Sequence, residues 1–124
     1  MKQWTVVVTL CAALAGCVQP EHGLLRPKPA PQGVESRDPC GKLKQLASIN
    51  PIYPREAIPV KQDGWVLLQY DVSASGVPFN LAVLDSSPQG VFDQASLAAL
   101  SQWRYGRRSF PTNDCLHIDN YSVK

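Results

Sequence analysis

Methionine occurs once, histidine twice and phenylalanine three times in this chain of 124 residues. With cysteine at only four positions, the side chains from which metal centres are built are in short supply. Neither sign of charge dominates. Twelve basic residues against ten acidic ones leave a net charge of +2, which excludes the basic stripe of a nucleic-acid binder. The longest apolar run, Trp4 to Val18, falls short of the roughly 20 residues of a permanent membrane helix. The arrangements that carry catalysis are missing too: there is no nucleophile elbow, glycine-rich phosphate loop or pair of carboxylates at cleft spacing. His117 and Asp119, two apart on a predicted strand, are the nearest approach to a catalytic pair. The reading is of a protein that is not an enzyme and that needs neither cofactor nor metal. What is plentiful is apolar content, at 44%, and proline, at eleven residues. The first excludes wholesale disorder, and the second confines regular structure to part of the chain.

The N-terminus has the form of an export signal. Lys2 supplies a positive charge, and Thr5 to Ala13 form an apolar segment of signal-peptide length. Leu14-Ala15-Gly16-Cys17 follows, and it resembles the bacterial lipobox, where a peptidase cuts before a cysteine whose sulfur already carries diacylglycerol. The resemblance implies that residues 1–16 are a lipoprotein signal peptide and that Cys17 is the lipidation site. It implies a membrane lipid anchor with palmitate-type acyl chains, and outer-membrane sorting facing the periplasm, since Val18 rather than Asp follows the cysteine. Residues 17–38, with Pro20, Pro27, Pro29 and Pro31, read as an extended Pro-rich tether. Cys11 leaves with the signal, and an exported chain with Cys40 and Cys115 remaining predicts a disulfide. Closing the long loop between them is worth roughly 4 kcal/mol on a chain-entropy account. The competing assignment is a metal site of Cys40, Cys115 and His117, which offers only three ligands.

Residues 39–124 read as the folded domain. Asp38-Pro39 has the form of an N-cap and first helical residue, and Leu43, Leu46 and Ala47 recur at helical spacing, so a short helix over 39–48 is expected. Trp65 to Val72 alternates, with Val66, Leu68, Tyr70 and Val72 on one face. Ser73-Ala74-Ser75-Gly76 reads as a hairpin turn, and Val77, Phe79, Leu81 and Val83 as a second strand. Phe92, Ala95, Ala99 and Trp103 recur at helical spacing, with Asp93 and Arg104 placed to complement the helix dipole. A last strand is expected from Cys115 to Val123. Its alternation slips, because Leu116 and Ile118 share one face and Tyr121 and Val123 the other, which suggests a bulge or frayed end.

Taken in order, these residues resemble the TonB C-terminal domain family over Asn50 to Val123. The carriers of the resemblance are Asn50-Pro51-Ile52-Tyr53-Pro54 with Ala57, Gly64-Trp65-Val66, Tyr70-Asp71-Val72, Ser75-Gly76-Val77, Phe92-Asp93-Gln94-Ala95 and Trp103-Arg104-Tyr105. The resemblance implies an α+β fold, a small antiparallel sheet of about three strands with helices packed on one face. It also implies a protein partner bound by strand addition at the sheet edge. The edge it points to is Leu116, Ile118, Tyr121 and Val123, with Asn50 to Tyr53 nearby. The chain departs from the family's transducers in having a lipobox where they have a transmembrane helix, in its short spacer, in Pro59 after the first Pro-rich segment, and in its cysteine pair.

Two readings fit Trp65 and Leu67: a face covered by the helix around Leu43, or an apolar partner-binding surface. Arg104, Arg107 and Arg108 form a basic patch that reads as helix-end complementarity or as a contact to headgroups or cell-wall carboxylates. The functional expectation is an outer-membrane lipoprotein whose domain acts as an accessory or adaptor in an envelope assembly or transport system. The alternatives are a divergent component of energised outer-membrane uptake and a cell-wall-binding anchor. A homodimer through the sheet edge is compatible with any of them.

Overall fold

A computed structural model describes residues 25–123. The expected signal peptide and lipidation at Cys17 lie outside the described residues. The elements in chain order are helix α1 (Val34–Arg37), strand β1 (Gln45–Ala47), a 3₁₀ turn (Arg55–Ala57), strands β2 (Gly64–Val72) and β3 (Pro78–Ser87), helix α2 (Asp93–Leu100), strand β4 (Arg104–Tyr105) and strand β5 (Thr112–Tyr121). The main sheet is antiparallel with order β3-β2-β5, and β1 and β4 form a separate two-stranded ribbon. The architecture is the expected α+β one.

β2 is central because its even-numbered side chains, Val66, Leu68, Tyr70 and Val72, are all fully buried. They meet Phe92, Leu100, Trp103 and Tyr105 from the α2 and β4 side, together with Cys115 and Tyr121 from β5. Phe92 stacks on Tyr121 with ring centroids 4.1 Å apart. The hairpin turn is as expected, and Gly76 is required in it. Its φ is 90°, and an added Cβ would lie 1.9 Å from the Tyr105 carbonyl oxygen. The same close approach lets the Tyr105 amide donate to the Gly76 carbonyl at 2.8 Å, which docks β4 against the turn.

Four expectations are corrected. No helix forms over 39–48; a turn leads into β1, which pairs with β4. Leu43 alone of the three apolar residues reaches the core, and a helix of that length with no face to bury is marginal. Asp38 is not the N-cap of a helix; it ends α1 as its C-cap. Its Oδ1 accepts from the Cys40 amide at 2.9 Å and from the Leu116 amide at 3.0 Å. α2 ends at Leu100 rather than Trp103, because the chain tightens to i→i−3 bonds at Gln102 and Trp103. Finally, the alternation of β5 does not slip at its end. Cys115, His117, Asp119 and Tyr121 pair with Tyr70, Leu68, Val66 and Gly64 and share the inner face. The irregularity lies earlier, between the pairings of Tyr70 and Val72, where Asp114 takes a φ of 60°.

The segment expected to be a free tether is part of the fold from Leu25 onward. The Gln62 side-chain amide bonds both the backbone N–H and the carbonyl of Leu25, at 2.8 and 2.6 Å. The Lys28 amide donates to Ser87 Oγ at 2.8 Å, and the Trp65 indole donates to the Lys28 carbonyl at 2.7 Å. α1 then packs against β5 and Val34 is buried. Because Trp65 lies on the opposite face of β2 from Val66, this strap covers the face turned away from α2. At Asp38 it meets the outer edge of β5, and at Cys40 it enters the core beside Cys115.

Candidate protein-interaction site

The open edges of a three-stranded sheet are its two outer strands, so the site question is which edge can accept another chain. β3 is a poor acceptor. Its register against β2 shifts twice, around Leu84 and around Asn80, and Asn80 adopts a φ of 52°. Bulges of this kind twist an edge out of the plane that a new strand needs. Lys28 lies against the same strand, with Nζ 3.6 Å from the Asp85 carboxylate.

β5 is blunted only in its first half. Its bulge at Asp114 is held by Asp71, whose Oδ1 accepts from the Asp114 amide at 2.9 Å. The other oxygen of Asp71 accepts from the Asn80 side chain at 2.9 Å, so one carboxylate on the central strand holds irregular segments of both neighbours. The Leu116 amide points away from β2, so by alternation the odd-numbered residues of β5 exchange bonds with β2 and the backbone groups of Leu116, Ile118 and Asn120 face outward. Asp38 occupies the Leu116 amide. The outward groups of Ile118 and Asn120 meet no partner among the described residues. Beside them runs an open groove of about 390 Å3 between Asn50, Pro51 and Tyr53 on one side and His117 to Ser122 on the other.

The groove wall is fixed from behind. The His117 ring nitrogen and Asp119 Oδ1 are 2.8 Å apart, and the His117 ring sits edge-on to Trp103 at 4.6 Å. This dyad is accounted for as packing of the inner face. Tyr53 donates its hydroxyl to the Gln62 carbonyl and its ring packs on Phe92, so the Pro-rich segment is anchored at that point. Tyr121 bonds Ser96 through its hydroxyl at 2.6 Å. Burial, the main cause, together with the negative charges of Asp119 and Asp93, raises the Tyr121 pKa to about 12, against the opposing pull of the Ser96 bond.

The residues singled out from the sequence divide accordingly. Ile118 lies on the free edge, Leu116 lies on it with its amide already used, and Val123 follows the end of β5. Tyr121 is 6% exposed and serves the interior. Trp65, at 4% exposed, is covered, though by the strap at Lys28 and not by a helix around Leu43; Leu67 beside it is half-buried. Cys40 and Cys115 form a disulfide with Cα atoms 5.2 Å apart, which leaves no thiolates for a metal site with His117. Arg104 donates to the carbonyls of Ser101 and Trp103 at the end of α2, while Arg107 and Arg108 stay exposed. Asn120 and Asp38 were missed. Both are polar residues whose importance comes from backbone they stand beside, and side-chain pattern carries no signal of that.

A disulfide-linked α+β domain with an open stretch of sheet edge among the described residues defines a class, the small protein-interaction module. Residues 49–111 match the family described as Gram-negative bacterial TonB protein C-terminal. The chain belongs to that family, and its domain is an interaction domain, not an enzyme. It is 30% identical over 62 residues to protein TonB of Yersinia enterocolitica, and 31% identical over 62 residues to that of Klebsiella pneumoniae. In each case the match covers 50% of this chain but only 24% and 26% of the relative, so about three quarters of those proteins has no counterpart in the match. The fold is similar to the Pseudomonas aeruginosa TonB C-terminal domain solved by NMR, with a TM-score of 0.54 and 25% identity, covering 66% of this chain and 85% of that one. It is also similar to the TonB2 protein of Vibrio anguillarum, with a TM-score of 0.54 and 20% identity, covering 65% and 81%. The strap and β5 lie outside the stretch that matches the family. No helix among the described residues is long and apolar enough to cross a membrane.

Proposed function

We propose that this chain is a lipid-anchored, periplasm-facing protein-binding module of the outer membrane, serving as an accessory or adaptor in an envelope assembly or transport system. Its partner contributes an extended segment that adds to the sheet beside Ile118 and Asn120. The observation that carries this reading is the asymmetry of the edges: β3 is bulged and flanked by Lys28, β5 is pinned as far as Leu116, and a short regular stretch of β5 is left open along a groove. Backbone pairing there needs little side-chain identity from the partner, which suits a module that docks passively. Membership of the TonB C-terminal family supports binding as the activity. The lipobox-like Leu14-Ala15-Gly16-Cys17 supports the anchor and the address, with residues 1–16 removed and Cys17 acylated.

The test is photo-crosslinking in cells from Asn120, which is exposed on the free edge, with Ala82 on β3 as the control. An adduct with one protein from Asn120 and none from Ala82 is expected. If that protein is an outer-membrane transporter, the role is in uptake; if it is a structural subunit, the role is in assembly. Equal labelling from both positions would remove the case for a single edge.

A further inference from the structure

The leash between the proposed anchor and the folded domain is much shorter than the proline-rich composition suggests. Gln62 is 3% exposed and its amide is fully used: it holds both backbone groups of Leu25, and Nε2 also donates to the Asp63 carbonyl at 2.8 Å. Only residues 18–24 separate Cys17 from this clamp, a stretch that reaches at most ~28 Å when fully extended. β2 alone runs about 27 Å from Gly64 to Val72. An anchor at Cys17 therefore confines the Gln62–Gly64 end of the sheet to within about one strand length of the bilayer and leaves the Ser73–Gly76 turn, at the other end of β2, room to lie farther from it.

The surface at that end suits the position. Leu25 and Ile58 are 46% and 48% exposed, and an apolar hollow of about 380 Å3 lies beside Gln62, walled mainly by Pro54, Ala57, Val60 and Val91. Glu56 also lines it, and the chain neighbours of its lining and of Leu25, namely Arg26, Arg55, Lys61 and Asp63, are exposed, a mixed but net basic set. Apolar side chains flanked by long basic ones are the chemistry of a headgroup-level contact with anionic lipid. We propose that this end, with Leu25 and Ile58 at its surface, rests on the membrane in which Cys17 is anchored. The proposal rests on the lipid-anchor reading above. Gly64 pairs with Tyr121, so the free stretch of β5 lies at the same end. The segment that pairs with it is then one that emerges close to the bilayer, as the periplasm-facing end of a membrane-embedded protein does.

The test uses the full acylated chain, purified from membranes and reconstituted into vesicles of phosphatidylethanolamine with a minor share of phosphatidylglycerol. Mass spectrometry of residue 17 comes first. An acylated chain with the Cys40–Cys115 disulfide has no free thiol, so Ile58→Cys and Ser75→Cys each accept a single spin label. The expected result is that the label at 58 is several-fold less accessible than the label at 75 to a water-soluble paramagnetic relaxant. Equal accessibility with lipid present on Cys17 would overturn the proposal and leave the lipoprotein reading standing. Absence of lipid from Cys17 would overturn both. A Gly-Ser insertion after Gln19, which leaves every described contact in place, is expected to raise accessibility at 58. Unchanged shielding with the longer leash would contradict the leash as its cause.

Discussion

Asp71 accepts one hydrogen bond from each neighbouring strand, at the Asn80 side chain and at the Asp114 amide. Both bonds end on an ionised acceptor but sit at the surface, so together they are worth about 1–2 kcal/mol. Asp71→Ala is therefore expected to lower the unfolding free energy measured in urea by that amount, while Asp71→Asn recovers part of it. No loss in Asp71→Ala would show that the bulges are held by backbone alone. The tyrosines set the response to alkali. Tyr121 is held protonated in the folded state up to about 12, and burial likewise raises Tyr70 and Tyr105, whose hydroxyls bond each other at 2.8 Å. In the unfolded chain a tyrosine ionises near 10. Between those two values the unfolded state has lost protons that the folded state keeps, so stability falls as pH rises. The urea midpoint is expected to be level below about pH 10 and to decline through pH 12, with a shallower decline in Tyr121→Phe. A midpoint that rises over that range would contradict the assignment.

Among the elements, β2 and the hairpin were legible in the sequence because they obey a single rule. Val66, Leu68, Tyr70 and Val72 alternate without exception, and Gly76 marks the turn. β5 was harder to read. Its inner face carries His117 and Asp119, and a polar pair on the buried side looks like a change of face when only hydrophobicity is followed. The strap was not legible at all. It is held by Gln62, Ser87 and the Trp65 indole, polar contacts to residues roughly 40 to 60 positions away that no local pattern encodes. The cysteine pair was legible from compartment and count alone. It closes a separation of 75 residues and ties the strap to the edge strand, a constraint worth about 4 kcal/mol on the chain-entropy account. Replacing both cysteines with serine is expected to lower stability by an amount of that order, measured by denaturant unfolding under oxidising conditions. A loss well below 1 kcal/mol would mean that Asp38 and the strap hold the edge unaided.

Across the whole molecule, the described contacts make one edge available and dispose of the other. β3 is bulged twice, and Asp38, α1 and the disulfide secure the first half of β5. What remains is four outward backbone groups on Ile118 and Asn120 beside the Asn50–Tyr53 segment. Amide hydrogen exchange reads those groups directly, first on the isolated domain and then on the native complex captured from Asn120. In the isolated domain, the amides of Leu116, His117, Asp119 and Tyr121 are expected to be protected and those of Ile118 and Asn120 to exchange freely. In the complex, Ile118 and Asn120 should become protected while β3 is unchanged. Free exchange at Ile118 and Asn120 in the complex, with new protection along β3, would contradict strand addition at this edge.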